Sequence, residues 1–323
     1  MTPLESHYKW LLQLYPAAYR AQRGDEILAT LVESVEGERT WPTFGDAVDL
    51  GGHAVRLRLG IGEQQPIGRL FAIVGPCQLV MAGLMAVIGL VWGEWSPFSP
   101  WPWVPPGHFG PFFTAGPLVY FAWVLSALSL VVHRPKVTRG LAALSVALTA
   151  LLVPIGHVFG LGRPPMYFLI FLVVLGIPYV AIPNQGSVWS ATRPSQKVLL
   201  LLPLVAAAVI ALEVARTRRY GLGPGVFFYR LALAGIVPWI AWLAAAAVVA
   251  AVVSMAMGRR VLGATIALFC LPWMTLWWGS HFASYASPRD ATTGFVIIGI
   301  LLLLLAKFAT TVRSNALEEA RSG

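Results

Sequence analysis

The chain has 323 residues, is 57% hydrophobic and only 11% charged, where a soluble domain carries roughly a quarter charged residues. Its net charge of +9 is unevenly placed: residues 1–69 hold seven Lys/Arg and nine Asp/Glu (net −2), and residues 70–323 hold sixteen and five (net +11). The basic excess therefore belongs to the apolar part, which reads as membrane flanks and argues against a nucleic-acid surface.

The first 66 residues predict a small cytoplasmic module of short helices, too polar and too long to be a signal-peptide n-region. Leu11, Leu12 and Leu14 fall in one helix, and Ile27, Leu28, Leu31, Val32 and Val35 make the apolar stripe of the next. Thr43 with Asp46 offers a cap to a third, after the loop "GERTWPTFG". Within this module "WLLQLYPAAYRAQRGDEILATL", Trp10 to Leu31, has the order Leu-Tyr-Pro, an Arg, then Gly-acid-Glu and an aliphatic residue. Those positions are Leu14, Tyr15, Pro16, Arg20, Gly24, Asp25, Glu26 and Ile27. The stretch resembles the N-terminal prefix of bacterial permease-type membrane proteins. Such prefixes occur on efflux-type ABC permeases and on actinobacterial multi-span proteins encoded beside small winged-helix repressors. The resemblance, confined to the N-terminal module, implies a transport-associated component whose prefix docks a cytoplasmic partner protein. The rest of the chain departs from the efflux permeases in having no large extracellular domain between spans. The Ala/Leu/Gly/Arg bias is that of a GC-rich genome and agrees with the actinobacterial comparison.

A bilayer core about 30 Å thick needs about 20 apolar residues in a helix. Eight stretches are candidates, at 70–93, 112–132, 140–160, 165–182, 198–215, 231–257, 261–280 and 292–312, the fifth of them short. The breaker "GLGRPP" separates the third from the fourth. With the N-terminus inside, the inner segments hold thirteen Lys/Arg and the outer loops six; reading 140–182 as one span lowers the balance to eleven against seven. The expected architecture is an all-α polytopic membrane protein of about eight transmembrane helices, in the cell membrane, with both termini cytoplasmic. Its parts are a helical prefix module at 1–66, a transmembrane domain at 67–313 and a tail at 314–323. The first outer loop, "WGEWSPFSPWPWVPPGHFGPFF", has no Lys or Arg, and its Trp92, Trp95, Trp101 and Trp103 suit the water–lipid interface. Its prolines forbid a regular helix, so it reads as a rigid outer cap.

The fifth span is the shortest. Val198 to Leu212 is 15 uninterrupted apolar residues, about 22 Å at about 1.5 Å per residue. It runs into "EVARTRRY", which places Glu213 near membrane depth and Arg216, Arg218 and Arg219 on the predicted outer side, with Arg230 opening the next span. An anion- or lipid-binding site follows: Glu213 orients Arg216, and Arg218, Arg219 and Arg230 meet phosphate oxygens. The plainer reading is a snorkelling pair that ends the helix.

Little else carries chemistry. No P-loop, H-E-x-x-H or G-x-S-x-G occurs, so no cofactor is expected, catalysis is not indicated and any ATP-driven role needs a separate ATPase. Glu94, Asp290, His108, His157 and His281 join Glu213 on the predicted outer side, but without metal-ligand spacing; each reads as an interfacial residue with its own local hydrogen bond. Gln78 reads as helix–helix glue, and Gly89/Gly93 and Gly156/Gly160 as close-packing pairs. Pro76, Pro154, Pro203, Pro238 and Pro272 read as tolerated kinks that free backbone carbonyls. Cys77 and Cys270 read as inert thiols in apolar runs. A transport- or efflux-associated permease-like component is the leading functional expectation. The alternatives are an outer-leaflet enzyme or sensor of lipid-linked or anionic molecules, and a cargo-free membrane regulator.

Overall fold

The computed structural model describes residues 3–33, 40–58, 66–95, 109–132, 134–181, 203–205, 207–212 and 233–285. These residues are helical, with no strand among them and only isolated bridges, Trp95–Phe112 and Phe109–Phe112. The chain divides into two compact units, Met1–Arg69 and Leu70–Gly323.

The first unit holds α1 (Pro3–Leu12), α2 (Ala17–Glu33) and α3 (Phe44–Arg58). Leu4, Tyr8, Leu11, Leu12, Tyr15, Leu50 and Ala54 form its buried core, and Ile27, Leu28, Leu31 and Val32 of α2 pack on it. Their spacing of one and three to four residues puts that stripe on one helix face. The α3 cap is reciprocal: Asp46 N–H donates to Thr43 Oγ1 at 3.1 Å, and Thr43 N–H donates to Asp46 Oδ2 at 3.0 Å. Tyr8 Oη donates to the same carboxylate oxygen at 3.0 Å, which ties α1 to the start of α3. Leu14 departs from expectation. It lies in the turn after α1 and is 42% exposed, because the chain there tightens to three-residue hydrogen bonds, Gln13 N–H to Trp10 O and Leu14 N–H to Leu11 O.

The second unit is built from long apolar helices. These are α4 (Pro66–Ile88), which continues as a π-helical turn over Gly89–Glu94, α5 (Gly116–Val131), α6 (Pro135–Phe159), α7 (Met166–Ala181), α8 (Leu233–Ala256) and α9 (Arg260–Tyr285). Among the described residues two stretches, Ile67–Glu94 and Pro135–Phe159, are long and apolar enough to cross a membrane, and several shorter helices are apolar. Residues 203–205 and 207–212 are also helical, while the predicted span at 292–312 lies outside the described residues, as do Trp101 and Trp103.

This unit has an apolar core that includes Leu79, Met85, Trp123, Phe168 and Leu172, yet α5 and α6 are apolar on their outer faces as well. On α5 the exposed side chains are Leu118, Phe121, Leu125, Leu128 and Val131; on α6 they include Val137, Leu144, Leu151 and Ile155. The hydroxyls face inward: Ser126, Thr138, Ser145 and Thr149 are all buried. They form a seam between α5 and α6, with Trp123 Nε1 donating to Thr149 Oγ1 at 3.0 Å, Ser126 and Ser145 hydroxyls 3.1 Å apart, and Ser129 Oγ donating to Thr138 Oγ1 at 3.0 Å. The Ser126, Ser145 and Thr149 hydroxyls each also lie within bonding distance of the carbonyl one turn back, so each single O–H has an acceptor either in its own helix or across the seam.

Small residues let the helices approach. Gly83 stands against Ala127 of α5, and Gly176 against the Trp123 ring. Gly89 packs on the Tyr120 ring, where a Cβ would come within 3.2 Å. Of the expected Gly156/Gly160 pair, Gly160 plays another part. Its φ of 63° is left-handed, it ends α6, and a Cβ there would meet nothing within 4 Å. It is a helix terminator rather than a packing residue.

Gln78 joins two helices of this unit through a proline. Pro272 has no N–H, so the carbonyl four residues earlier, at Leu268, loses its helical donor. Gln78 Nε2 supplies the replacement at 3.0 Å. The side chain is 1% exposed, and its Oε1 has no donor among the described residues.

Candidate functional site

The predicted anion site cannot be placed: Glu213, Arg216, Arg218, Arg219 and Arg230 lie outside the described residues, as do His108 and Asp290. His281 falls within α9, but its side chain is outside the described set. His157, near the end of α6, is exposed.

The structure instead assembles a site around Glu94 from three segments far apart in sequence. The π-helical turn, closed by Trp95 N–H to Leu90 O at 2.9 Å, widens the end of α4 and delivers Glu94 fully buried. Such turns often mark functional positions. Glu94 Oε2 accepts from Thr114 N–H at 2.8 Å, and Oε1 accepts from Thr114 Oγ1 at 2.7 Å. Thr114 Oγ1 in turn accepts from Gly116 N–H at 2.9 Å. The carboxylate thus stands at the N-terminus of α5, where the helix dipole and unmet N–H groups favour negative charge. Gly116 is required for space: a Cβ there would sit 2.7 Å from Glu94 Oε1 and 2.8 Å from Pro164 Cγ. The 160–165 turn closes the third side, with Ala115 N–H donating to Gly162 O at 2.9 Å.

Beside that turn runs a groove of about 650 Å³ lined by Pro154, Gly156, His157, Leu161 and Arg163 among others. Arg163 is exposed and turns back to donate to Pro164 O at 3.4 Å. Chemically, this end of the bundle offers a dry, hydrogen-bonded carboxylate and, in the neighbouring groove, an exposed imidazole and guanidinium. Among the described residues no group of three His, Cys, Asp or Glu side chains could hold a metal ion.

A second polar cluster lies in the N-terminal unit. Tyr15 of the prefix-like motif is buried, and its hydroxyl is 2.9 Å from His53 Nδ1. Burial, followed by the neighbouring Tyr19, pushes the Tyr15 phenol up to about 12, against a smaller opposing effect of Arg56. Burial, then Arg56, pushes His53 below the usual histidine value. A protonated phenol donating to a bare Nδ1 satisfies both groups near neutrality, with the tautomer assigned from that pairing. The other motif residues serve the α2 helix. Arg20 N–H bonds Pro16 O at 3.0 Å in the first turn, Gly24 is buried against Arg20 Cγ, and Ile27 packs on the core. Asp25 and Glu26 are exposed.

Sequence reasoning placed Glu94 with the other outer acids but missed Thr114 as its partner. A threonine just ahead of a Gly-Pro helix start was the available signal. It also missed the hydroxyl seam, although 126, 129 and 138, 145, 149 repeat at helical spacing.

No family model, no curated protein and no solved structure matches this chain.

Proposed function

We propose that the chain is a polytopic protein of the cell membrane, with about eight spans and both termini cytoplasmic. In this reading it is a transport- or efflux-associated permease-like component without its own ATPase. The supporting observation is the outer face of α5 and α6, with Leu, Phe and Val outward while Ser, Thr and Trp N–H groups pair inside. In water a row of exposed apolar side chains of this kind marks a surface that wants a partner. In lipid the same arrangement is the expected one, because polar groups must find partners inside the bundle. The cationic turns agree with the alternation of spans: Arg134, Lys136 and Arg139 flank the α5–α6 turn, and Arg259 and Arg260 the α8–α9 turn. The N-terminal unit, with its prefix-like motif, is the docking body for a cytoplasmic partner protein, and membrane lipids are the second class of partner.

Purification in mild detergent should bring down a cytoplasmic ATPase with the chain. Recovery of the chain in stable form, free of any ATPase, would sink the efflux reading. The span count has its own test. Tyr220→Cys should react with an impermeant thiol reagent on intact cells; reaction only after the membrane is opened would break the eight-span count and the outward anion site with it.

The site around Glu94 favours one alternative, an outer-leaflet enzyme or sensor of anionic or lipid-linked molecules. The groove with His157 and Arg163 lies by the turn that packs on Gly116 and Glu94, and Arg216, Arg218, Arg219 and Arg230 are predicted on the same side. A lipid headgroup or soluble phosphate retained through purification, and lost in Arg163→Ala, would favour this reading.

A further inference from the structure

We propose that the groove at the C-terminal end of α6 binds an anionic glycerophospholipid, with the lipid phosphate held between His157 and Arg163 and an acyl chain laid along the outer face of α6. The proposal rests on the membrane reading above. It names the ligand of the groove that the second reading leaves open, without requiring that the protein change that lipid.

The level of the groove in a bilayer is set by α6 itself. The helix is 25 residues long and apolar enough to cross a membrane. At about 1.5 Å per residue that is about 37 Å, longer than a hydrocarbon core of about 30 Å. Arg134, Lys136 and Arg139 stand at its start. A span that begins in one headgroup layer therefore brings its last turn, with His157, to the other.

The local fold presents a cation at that end. Gly160 takes a left-handed φ of 63°, and the chain folds back so that Leu161 N–H donates to Gly156 O at 3.0 Å. A carbonyl of the helix end is thereby taken, which weakens the negative field an anion would meet there. Arg163 then lies across Gly156, where a built Cβ would stand 3.8 Å from Arg163 Cβ and Cδ. Its stem is thus held beside the turn that carries His157, and both side chains line one groove of about 650 Å³. His157 makes no hydrogen bond among the described residues, and Arg163 spends one N–H on Pro164 O at 3.4 Å. A guanidinium has five N–H groups in a fork that fits phosphate oxygens, and imidazole adds a donor in either tautomer. No acidic residue lines the groove, so nothing there would receive the ammonium of a zwitterionic headgroup. Charge complementarity selects an anionic one.

The face of α6 that leads away from the groove is shallow. Ala143, Ala147, Ala150 and Pro154 are exposed and follow one another at the helical spacing that arrives at His157, with exposed Leu144 and Leu151 as a flank. A lipid tail fills such a trough, whereas a soluble phosphate would leave it bare.

The full chain in mild detergent is titrated with phosphatidylglycerol and, separately, with phosphatidylcholine of the same acyl chains, and bound lipid is read by native mass spectrometry. Phosphatidylglycerol should bind several-fold more tightly. Arg163→Ala should weaken its binding about tenfold, as for loss of a charge-assisted pair, and Lys136→Ala, at the other end of α6, should leave it in place. Equal binding of the two lipids overturns the proposal, as does a preference that survives Arg163→Ala. Displacement of the lipid by inorganic phosphate assigns the groove to a free anion and overturns it too. Arg163→Lys keeps the charge and the stem over Gly156 but loses the fork, so it decides the matter should Arg163→Ala fail to fold: a several-fold loss is expected, and no loss overturns the proposal. Flotation separates the two levels. A chain that fails to float with phosphatidylglycerol vesicles sinks the membrane reading itself, whereas one that floats without preferring the anionic lipid sinks only this site.

Discussion

The two units of this chain solve the same problem with opposite surfaces. In Met1–Arg69 the core is Leu, Tyr and Ala, and the outside carries Lys9, Arg20, Arg23, Asp25 and Glu26. In the second unit the outside of α5 and α6 is Leu, Phe, Val and Ile, and the polar groups are folded inward onto one another. Both follow one rule: polar groups must be satisfied, and apolar area goes wherever water is not. On the membrane reading proposed above, the difference lies in the solvent. The first unit has the pattern of a water-facing helical bundle, and the second that of a bundle whose surroundings cannot hydrogen-bond.

The sharpest break of that comparison is a charge placed in each core. Ala54 is fully buried in the first unit. Ala54→Asp should cost several kcal/mol, on the order of the whole stability of a small bundle. Trypsin should then cut readily at Arg20 and Arg23 while the second unit stays in the membrane fraction. Loss of the whole chain from that fraction would mean the units are not separable.

Glu94 offers the next largest effect, in the second unit. Glu94→Leu leaves Thr114 N–H and Oγ1 without their acceptor, a cost of about 2–3 kcal/mol. Glu94→Gln keeps an acceptor and should retain most of that. Thermal unfolding of the detergent-solubilised protein reads both. A Glu94→Leu variant as stable as the native chain would remove the carboxylate from any structural role.

A smaller effect tests the proline-linked bond. Gln78→Leu should cost about 1 kcal/mol, within the range expected for hydrogen bonds between helices of a membrane bundle. In a Pro272→Ala background an N–H is restored to Leu268 O, so the same Gln78 change should cost measurably less. Additive effects in that double-mutant cycle would show that Gln78 is not answering to the proline.

The smallest effect distinguishes the units by pH. His53 has its folded value lowered, so its neutral form contributes stability that is present above the ordinary histidine value near 6.5 and is lost as pH falls through the folded value. Tyr15 has its folded value raised to about 12, so its contribution is present below the usual phenol value near 10 and is lost as pH climbs from there towards 12. The first unit should therefore melt earlier at both acid and strongly alkaline pH. His53→Asn should flatten the acid limb alone; an unchanged acid limb in that variant would clear His53 of the effect.

Sequence alone determined the helical class, because unbroken apolar runs of helix length with Pro and Gly punctuation admit little else, and it determined the Thr43/Asp46 cap and the α2 stripe, because both depend only on spacing along one helix. It singled out Gln78 and Glu94 as polar residues in apolar surroundings. Their partners were decided by tertiary structure. Leu268 is 190 residues from Gln78, and Thr114 is 20 residues from Glu94 across a proline-rich loop. No local period encodes such pairings. Gly156/Gly160 shows the same limit from the other side: two glycines at packing spacing look alike in sequence, and only the left-handed φ of Gly160 reveals that one of them ends the helix. A residue's neighbours along its own helix are fixed by the 3.6-residue turn, whereas its neighbours on other helices are fixed by which close approaches the whole bundle can satisfy at once.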